Sequence, residues 1–298
     1  FRGVQHCFDY SVPNELELTI TVGDHVYVPL GRQTIQGLVM SINKTDTTKN
    51  LKSINKRSDT LPTLSQETVD WILWFSKTYH ATPYKAYQTI IGKRKFRDSS
   101  PPDNPSITPS PFQLNPEQQR AFETICSAQH FSEHLLHGIT GSGKTEIYLR
   151  LAETMLKQKK QVIICCPEIS LTPQFRDQFS ARFHDHVVVI HSGLTAKQRD
   201  IAWSKLMSKQ ASIVIGPRSA IFSPVQDLGL VIIDEEHDAS YKQDNHPRYY
   251  THDLARWRCQ YHNCTLVLGS ATPSVETFLI NQKQNLQKTQ SCSYNYLS

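Results

Sequence analysis

From Gly138 to Thr145 the chain reads Gly-Ile-Thr-Gly-Ser-Gly-Lys-Thr, with apolar Leu135 and Leu136 before it and a helix-competent run, Glu146 to Lys157, after it. This is the Walker A spacing G-x-x-x-x-G-K-[ST] in a strand, glycine turn, helix order. Backbone N–H groups converge on phosphate oxygens where no Cβ intervenes, and the start of the next helix adds the positive end of its dipole. Gly138, Thr140, Gly141, Ser142, Gly143, Lys144 and Thr145 are therefore the expected ATP cradle. In it Lys144 reaches the β- and γ-phosphates and the Thr145 hydroxyl ligates Mg²⁺. A glycine-rich turn that merely opens a helix is the plainer alternative, and an eight-residue match in this context argues against it.

A second stretch, Asp234-Glu235-Glu236-His237, follows the apolar run Leu230 to Ile233. An NTPase needs one carboxylate to hold Mg²⁺ through its water shell and another to orient or deprotonate the attacking water. Asp234 is assigned to the metal and Glu235 to the water, with Lys144 completing the catalytic set. An acidic helix start would use the same residues to complement a dipole. A third stretch, Gly269-Ser270-Ala271-Thr272-Pro273-Ser274, ends the run Thr265 to Leu268. Here Ser270 and Thr272 can sense the γ-phosphate and couple it to a nucleic-acid face, although small hydroxyl residues also serve as an ordinary N-cap.

The elements that position these groups follow a strand and helix alternation from Phe112 onward. Val162 to Cys166, Val187 to Ile190, Ile213 to Ile215, Leu230 to Ile233 and Thr265 to Leu268 are short, β-branched-rich and separated by helix-competent stretches. A buried parallel sheet with flanking helices is the economical reading, with function at the carboxyl ends of its strands. Residues 1–97 differ. Glu17 to Ile20, Val26 to Leu30 and Ile35 to Ile42 read as strands of a small β-rich module, followed by a helix from Gln66 to Tyr79. Trp71, Trp74 and Phe75 on or beside the apolar face of that helix read first as core and second as base-stacking groups.

Two basic runs mark this module as a candidate nucleic-acid surface: Lys44, Lys49, Lys52, Lys56 and Arg57, then Lys77, Lys85, Lys93, Arg94, Lys95 and Arg97 with Tyr79, Tyr84 and Tyr87 interleaved. Solvated faces are the alternative. Residues 98–111 are Pro/Ser-rich and read as a linker between domains. Residues 281–298 form a divergent polar tail. The net charge of +5 is mildly basic, and the 38% hydrophobic content is that of a soluble globular protein. The longest apolar runs are too short for a membrane helix, and the start at Phe1 shows no signal region. Seven scattered cysteines without C-x-x-C pairs read as reduced cytoplasmic thiols.

The ordered set Gly-Ser-Gly-Lys-Thr, Asp-Glu-Glu-His and Gly-Ser-Ala-Thr-Pro-Ser resembles motifs I, II and III of the superfamily 2 helicases. The wording of Pro167 to Gln174, His191 to Leu194, Gly216 to Phe222 and Asp234 to Gln243 is narrower, and resembles the replication restart helicases, the primosomal protein N′ family. That resemblance implies a RecA-like lobe over 112–280 preceded by a 3′-end DNA-binding domain over 1–97. It implies ATP and Mg²⁺ as cofactors and 3′→5′ unwinding at stalled forks. Single-stranded and forked DNA, other primosome proteins and single-strand-binding protein are the implied partners, and no membrane.

Residue roles carry over with it. Leu114 to Gln118 resembles the element in which Gln118 reads adenine, as an amide that both donates and accepts can do. Arg218, in Gly216 to Ser219, falls on a motif that grips the single-strand backbone. Tyr241, Lys242, Arg248 and Tyr249, with Tyr250, fall on the family's aromatic-rich loop, where bases stack and binding is coupled to hydrolysis. Phe8, Asp9, Tyr10 and Arg32 fall on the segments that pocket a 3′-terminal nucleotide. Two departures accompany these matches: the linker stands where the family carries a winged helix, and the second motor lobe, with its arginine finger and zinc-binding cysteine module, is not found. A truncated, non-catalytic DNA- and ATP-binding remnant is therefore the second reading, and another superfamily 2 nuclease or remodelling enzyme a weaker third.

Overall fold

A computed structural model of the chain describes residues 7–43, 51–92, 107–279 and 292–297. Lys44, Lys49, Lys93 to Arg97 and most of the expected linker lie outside these residues. The chain divides into two compact units, one of Phe1–Phe96 with Asn245–Arg248, the other of Arg97–Asp244 with Tyr249–Ser298.

The first unit is built on a hairpin. Strand β1, His25–Leu30, pairs antiparallel with β2, Gln33–Leu38, and the short β3, Lys56–Arg57, adds to the other side of β1. Gly31 takes φ 60° in the two-residue turn, which suits the first position of a tight hairpin and leaves Arg32 exposed at its tip. Ile20, Val26, Val28 and Ile54 form the core beneath the sheet.

Glu17 to Ile20, expected as a strand, is instead a turn closed by Thr19 and Ile20 N–H groups on the Leu16 carbonyl, both at 3.0 Å. Only Ile20 of that stretch is needed inside, while Leu18 is 98% exposed, so an extended strand would have buried nothing on its second face. The buried Asp24 carboxylate accepts from Thr63 Oγ1 at 2.5 Å, the Thr21 N–H at 2.8 Å and Arg57 at 2.8 Å. Burial alone would raise its pKa, but these bonds outweigh it and hold the group below the usual carboxylate range. Arg57, expected on a phosphate-tracking face, is thus half of an ion pair, and Lys56 lies over the Tyr27 ring at 5.4 Å.

Two helices complete the unit. Helix α1, Gln66–Thr78, starts where Ser65 Oγ accepts the Thr68 N–H, and buries Val69, Trp71, Ile72 and Phe75. Core packing is therefore the role of Trp71 and Phe75. Helix α2, Pro83–Ile90, is capped by Thr82 with proline in its first turn. Tyr87 turns inward, its hydroxyl 3.0 Å from Nε2 of the buried His25, and serves the fold rather than a stack of bases.

In the second unit the described strands pair in parallel, and their order is β10-β4-β9-β8-β5-β7-β6. The members are β4 Ser132–Gly138, β5 Gln161–Cys165, β6 Val187–Val189, β7 Ile213–Gly216, β8 Leu228–Ile233, β9 Thr265–Ser270 and β10 Cys292–Leu297. Every residue of β5, β7 and β8 is buried, as continuous apolar runs covered on both faces must be. Helices α3 Pro116–Cys126, α4 Lys144–Lys157, α5 Pro173–Phe183, α6 Ala196–Met207 and α7 Thr251–Tyr261 supply the cover. Strand β10 arises within the stretch read as a polar tail. Its pairing to β4 is a backbone matter that the composition of that stretch did not announce. No described helix is long and apolar enough to cross a membrane.

The last residues of the expected linker are part of this unit. The Thr108 N–H donates to the Arg182 carbonyl at 2.9 Å, Ser110 Oγ donates to Glu146 Oε1 at 2.7 Å, and the Arg150 guanidinium donates to the Phe112 carbonyl. Arg182 itself, buried, bridges Glu146 at 3.1 Å and Glu153 at 2.6 Å.

Candidate nucleotide-binding site

The turn between β4 and α4 has the shape the glycines were expected to permit. Gly141 and Gly143 take φ 86° and 84°, a region L side chains avoid. Space constrains Gly143 too, since a Cβ there would lie 2.3 Å from Gln118 Nε2. That amide donates to the Ser142 carbonyl at 2.9 Å, and its Oε1 accepts the Asn115 N–H at 3.0 Å in the capping box that starts α3. Gln118 is therefore tied to the phosphate loop, with one N–H and one lone pair left for a base edge.

Lys144 is nearly buried and folds back onto the loop, donating to the Gly138 carbonyl at 2.5 Å and the Ile139 carbonyl at 3.4 Å. Ser142 Oγ is buried with no hydrogen-bond partner among the described residues, an oxygen placed for a ligand that can donate or accept. A cation and an orphaned hydroxyl beneath a left-handed glycine turn fit a phosphate group. One cavity of about 500 Å³ is lined by Thr140, Gly141, Gly143, Lys144 and Thr145 together with Asp234 and Glu235. Its outer wall is the Thr108 to Phe112 segment with Gln178 and Arg182, residues for which the motifs carried no signal.

Asp234 leaves β8 with its N–H on the Cys165 carbonyl at 2.8 Å. Its Oδ1 accepts from Tyr148 Oη at 2.9 Å. Burial, and then the neighbouring Glu235 charge, push its pKa up to about 6, against the opposing pull of Tyr148 and Lys144. Glu235 sits at φ 48°, a conformation uncommon outside glycine and strained at the point where the strand must aim two carboxylates at one cavity. Thr145 and Asp234 are the residues able to hold Mg²⁺, and their oxygen donors suit a hard cation.

Behind the cavity, the second and third motifs are joined. His237 Nδ1 lies 2.8 Å from Ser270 Oγ and its Nε2 lies 3.3 Å from Thr272 Oγ1, so both expected coupling residues meet one imidazole. Glu236, fully buried, accepts from the Ser274 N–H at 2.7 Å and Thr277 Oγ1 at 2.9 Å, while its own N–H donates to the Gly269 carbonyl at 2.9 Å. His252 Nε2 lies 3.5 Å from Glu236 Oε2, and the His252 ring stacks on Tyr250 at 4.2 Å. His237 was read as the end of the second motif without a role of its own, and His252, a lone histidine outside the motifs, carried little signal.

The expected DNA contacts divide. Tyr241 is fully buried, its hydroxyl donating to the Asp234 carbonyl at 2.5 Å and the Cys165 carbonyl at 3.0 Å, so it braces the strand ends and cannot stack on a base. Tyr249 is also buried, edge-on to Phe222 at 5.3 Å. Both read from sequence as surface groups, since an aromatic in a loop looks the same there whether it faces in or out. Arg218 donates to the Ser240 and Lys242 carbonyls at 3.0 and 2.7 Å, which anchors the loop itself. Lys242 and Arg248 are exposed, and Lys242 lies 5.6 Å over the half-buried Tyr250 ring. In the first unit, Phe8 and Asp9 are exposed and Tyr10 Oη donates to the Pro29 carbonyl at 3.1 Å. That bond brings the Phe8-Asp9-Tyr10 segment to the end of β1, next to the turn that holds Arg32.

Comparison with known proteins bears directly on this arrangement. Residues 115–279, more than half of the chain, match the DEAD/DEAH box helicase family. The chain belongs to that family. Residues 2–92 match the 3′ DNA-binding domain model of the replication restart protein PriA. Curated proteins named replication restart protein PriA are similar over much of the chain. The one from Bacillus subtilis is 48% identical over 58% of this chain and 22% of its own length. The one from Treponema pallidum is 36% identical over 86% of this chain and 40% of its own. The one from Chlamydia pneumoniae is 32% identical over 92% of this chain and 48% of its own. The chain thus spans less than half the length of these relatives. As a helicase-family lobe it carries the nucleotide cavity in a RecA-like parallel sheet, with a small antiparallel sheet in the unit that precedes it.

Proposed function

We propose that this chain carries the nucleotide-binding lobe and the 3′-end-binding module of an ATP-dependent 3′→5′ DNA helicase acting in replication restart. The observation that carries the reading is the single cavity in which Lys144 and Thr145 meet Asp234 and Glu235. Lys144 would exchange its two loop carbonyls for phosphate oxygens, and Ser142 Oγ would gain the partner it lacks. Mg²⁺, held by Thr145 and Asp234, would supply charge neutralisation on the phosphates. Glu235 would orient and deprotonate the attacking water, and the His237 contacts to Ser270 and Thr272 would pass the change to the strand ends.

Single-stranded DNA would lie along the carboxyl edge of the sheet, with Lys242 on its phosphates, and the exposed Arg248 of the other unit would be a phosphate contact of its own. Phe8, Asp9, Tyr10 and Arg32 would receive a 3′-terminal nucleotide, a role supported by the match of residues 2–92 to a 3′ DNA-binding domain. Forked DNA, primosome proteins and single-strand-binding protein are the partners this reading entails, and the cytoplasm is where such a DNA substrate is met. DNA-stimulated ATP hydrolysis by the chain, abolished in Lys144→Ala and Glu235→Gln, is the expected result. Nucleotide and DNA binding without any stimulated turnover would replace the motor with a binding-only protein.

A further inference from the structure

We propose that Tyr148 is the positioning residue for the Asp234 carboxylate, and that position 269 must be glycine to give it room. The inference rests on the reading of Asp234 as the metal-holding group. Tyr148 lies one turn into α4, just past Lys144 and Thr145, and is 1% exposed within the apolar core formed by neighbours such as Ile147 and Leu151. Its hydroxyl is the polar end of an otherwise packed ring, and it donates to Asp234 Oδ1 at 2.9 Å.

The same hydroxyl occupies the space beside the third motif. A Cβ built on Gly269 would lie 1.7 Å from Tyr148 Oη, 2.9 Å from its Cζ and 3.3 Å from Asp234 Oδ1. Position 269 has no left-handed φ, so the demand for glycine is one of space alone. The helix of the first motif, the carboxylate of the second and the backbone of the third therefore converge on one oxygen. A carboxylate bonded through one oxygen to a rigid phenol has lost its freedom to rotate, and its direction toward a cation is set before the cation arrives. Groups that hold metal ligands in this way affect metal affinity by about ten-fold or more when removed.

The test is a Mg²⁺ titration of a fluorescent ADP analogue bound to the whole chain, with affinity in EDTA as the reference. In Y148F the Mg²⁺ needed for half-saturation should rise about ten-fold, with a cooperative melt retained and the affinity in EDTA unchanged. D234N should shift it at least as far. G269A should reproduce the Y148F shift and melt earlier. The Y148F/G269A double variant should melt later than G269A alone, because the nearest obstacle is gone. An unchanged half-saturation in Y148F beside a shifted D234N overturns the role of Tyr148, as does a silent G269A. Loss of the fold in Y148F, or an equal loss of affinity in EDTA, assigns the hydroxyl to packing and also overturns it. A D234N chain with normal Mg²⁺ dependence removes the metal reading of the site, and the proposal with it.

Discussion

Gly143 is constrained twice, by a φ of 84° and by Gln118 Nε2 standing where a Cβ would go. Gly143→Ala should therefore weaken nucleotide binding more than its stability loss, about 1–3 kcal/mol, would suggest. Calorimetric titration with ATP beside a urea melt separates the two effects. Asp234 makes a prediction of opposite sense for stability. Its folded pKa, pushed up to about 6, lies above the ordinary carboxylate value of 3.8, so the folded state binds the proton more tightly than the unfolded chain does. Without nucleotide or Mg²⁺, the Asp234 contribution to stability should thus be lost as pH rises from about 4 through about 6. Asp234→Asn, which cannot ionise, should melt higher than wild type at pH 7.5 and equal to it near pH 4. A thermal melt series in which the gap between the two proteins does not widen from pH 4 to pH 7.5 contradicts the burial of the charge.

At the scale of elements, Glu236 joins three of them: the end of β8, the turn after β9 and the first turn of α7. Burial would raise its pKa, but the adjacent His252 ring and the hydrogen bonds from Ser274 and Thr277 outweigh it and hold it low. Glu236→Ala strands the Ser274 N–H and removes the carboxylate that the Thr277 hydroxyl donates to, and a loss of about 2–3 kcal/mol in urea unfolding is expected. Glu236→Gln keeps one accepting oxygen and should lose less. Coupling should suffer in both, since His252 and the Tyr250 ring stacked on it lead from this carboxylate to the loop that carries Lys242. If Glu236→Ala unfolds at the wild-type urea midpoint, the carboxylate is not the joint described.

For the molecule as a whole, the proposed function gives the two units separable duties. Lys144→Ala should lose nucleotide affinity yet bind a single-stranded oligonucleotide with a free 3′ end as wild type does, while Asp9→Ala should do the reverse. Fluorescence anisotropy with free and 3′-phosphorylated oligonucleotides reads both, and equal affinity for the two ends would remove the pocket assigned to Asp9. The net charge of +5 also predicts affinity that falls steeply with salt, by a slope of about 0.7 per phosphate contact on single strands.

Much of this was legible from residue types alone. The five apolar runs became β5 to β9, the glycines took the left-handed turn their types permit, and the carboxylates fell at a strand end, because periodicity and backbone sterics are local properties that a sequence states directly. Where the chain was misread, the deciding physics was not local. Tyr241 and Tyr249 face inward, Arg57 is held by Asp24, and the last residues of the Pro/Ser stretch wall the cavity, each through a partner between 27 and 76 residues away or on another element. By itself the order of the three motifs determined a phosphate site at the carboxyl edge of a parallel sheet, since glycine, lysine and paired acids at that spacing have few other uses. Only the tertiary structure decided which polar groups are free to act and which are already bonded, because that depends on what the rest of the chain brings within about 3 Å of each one.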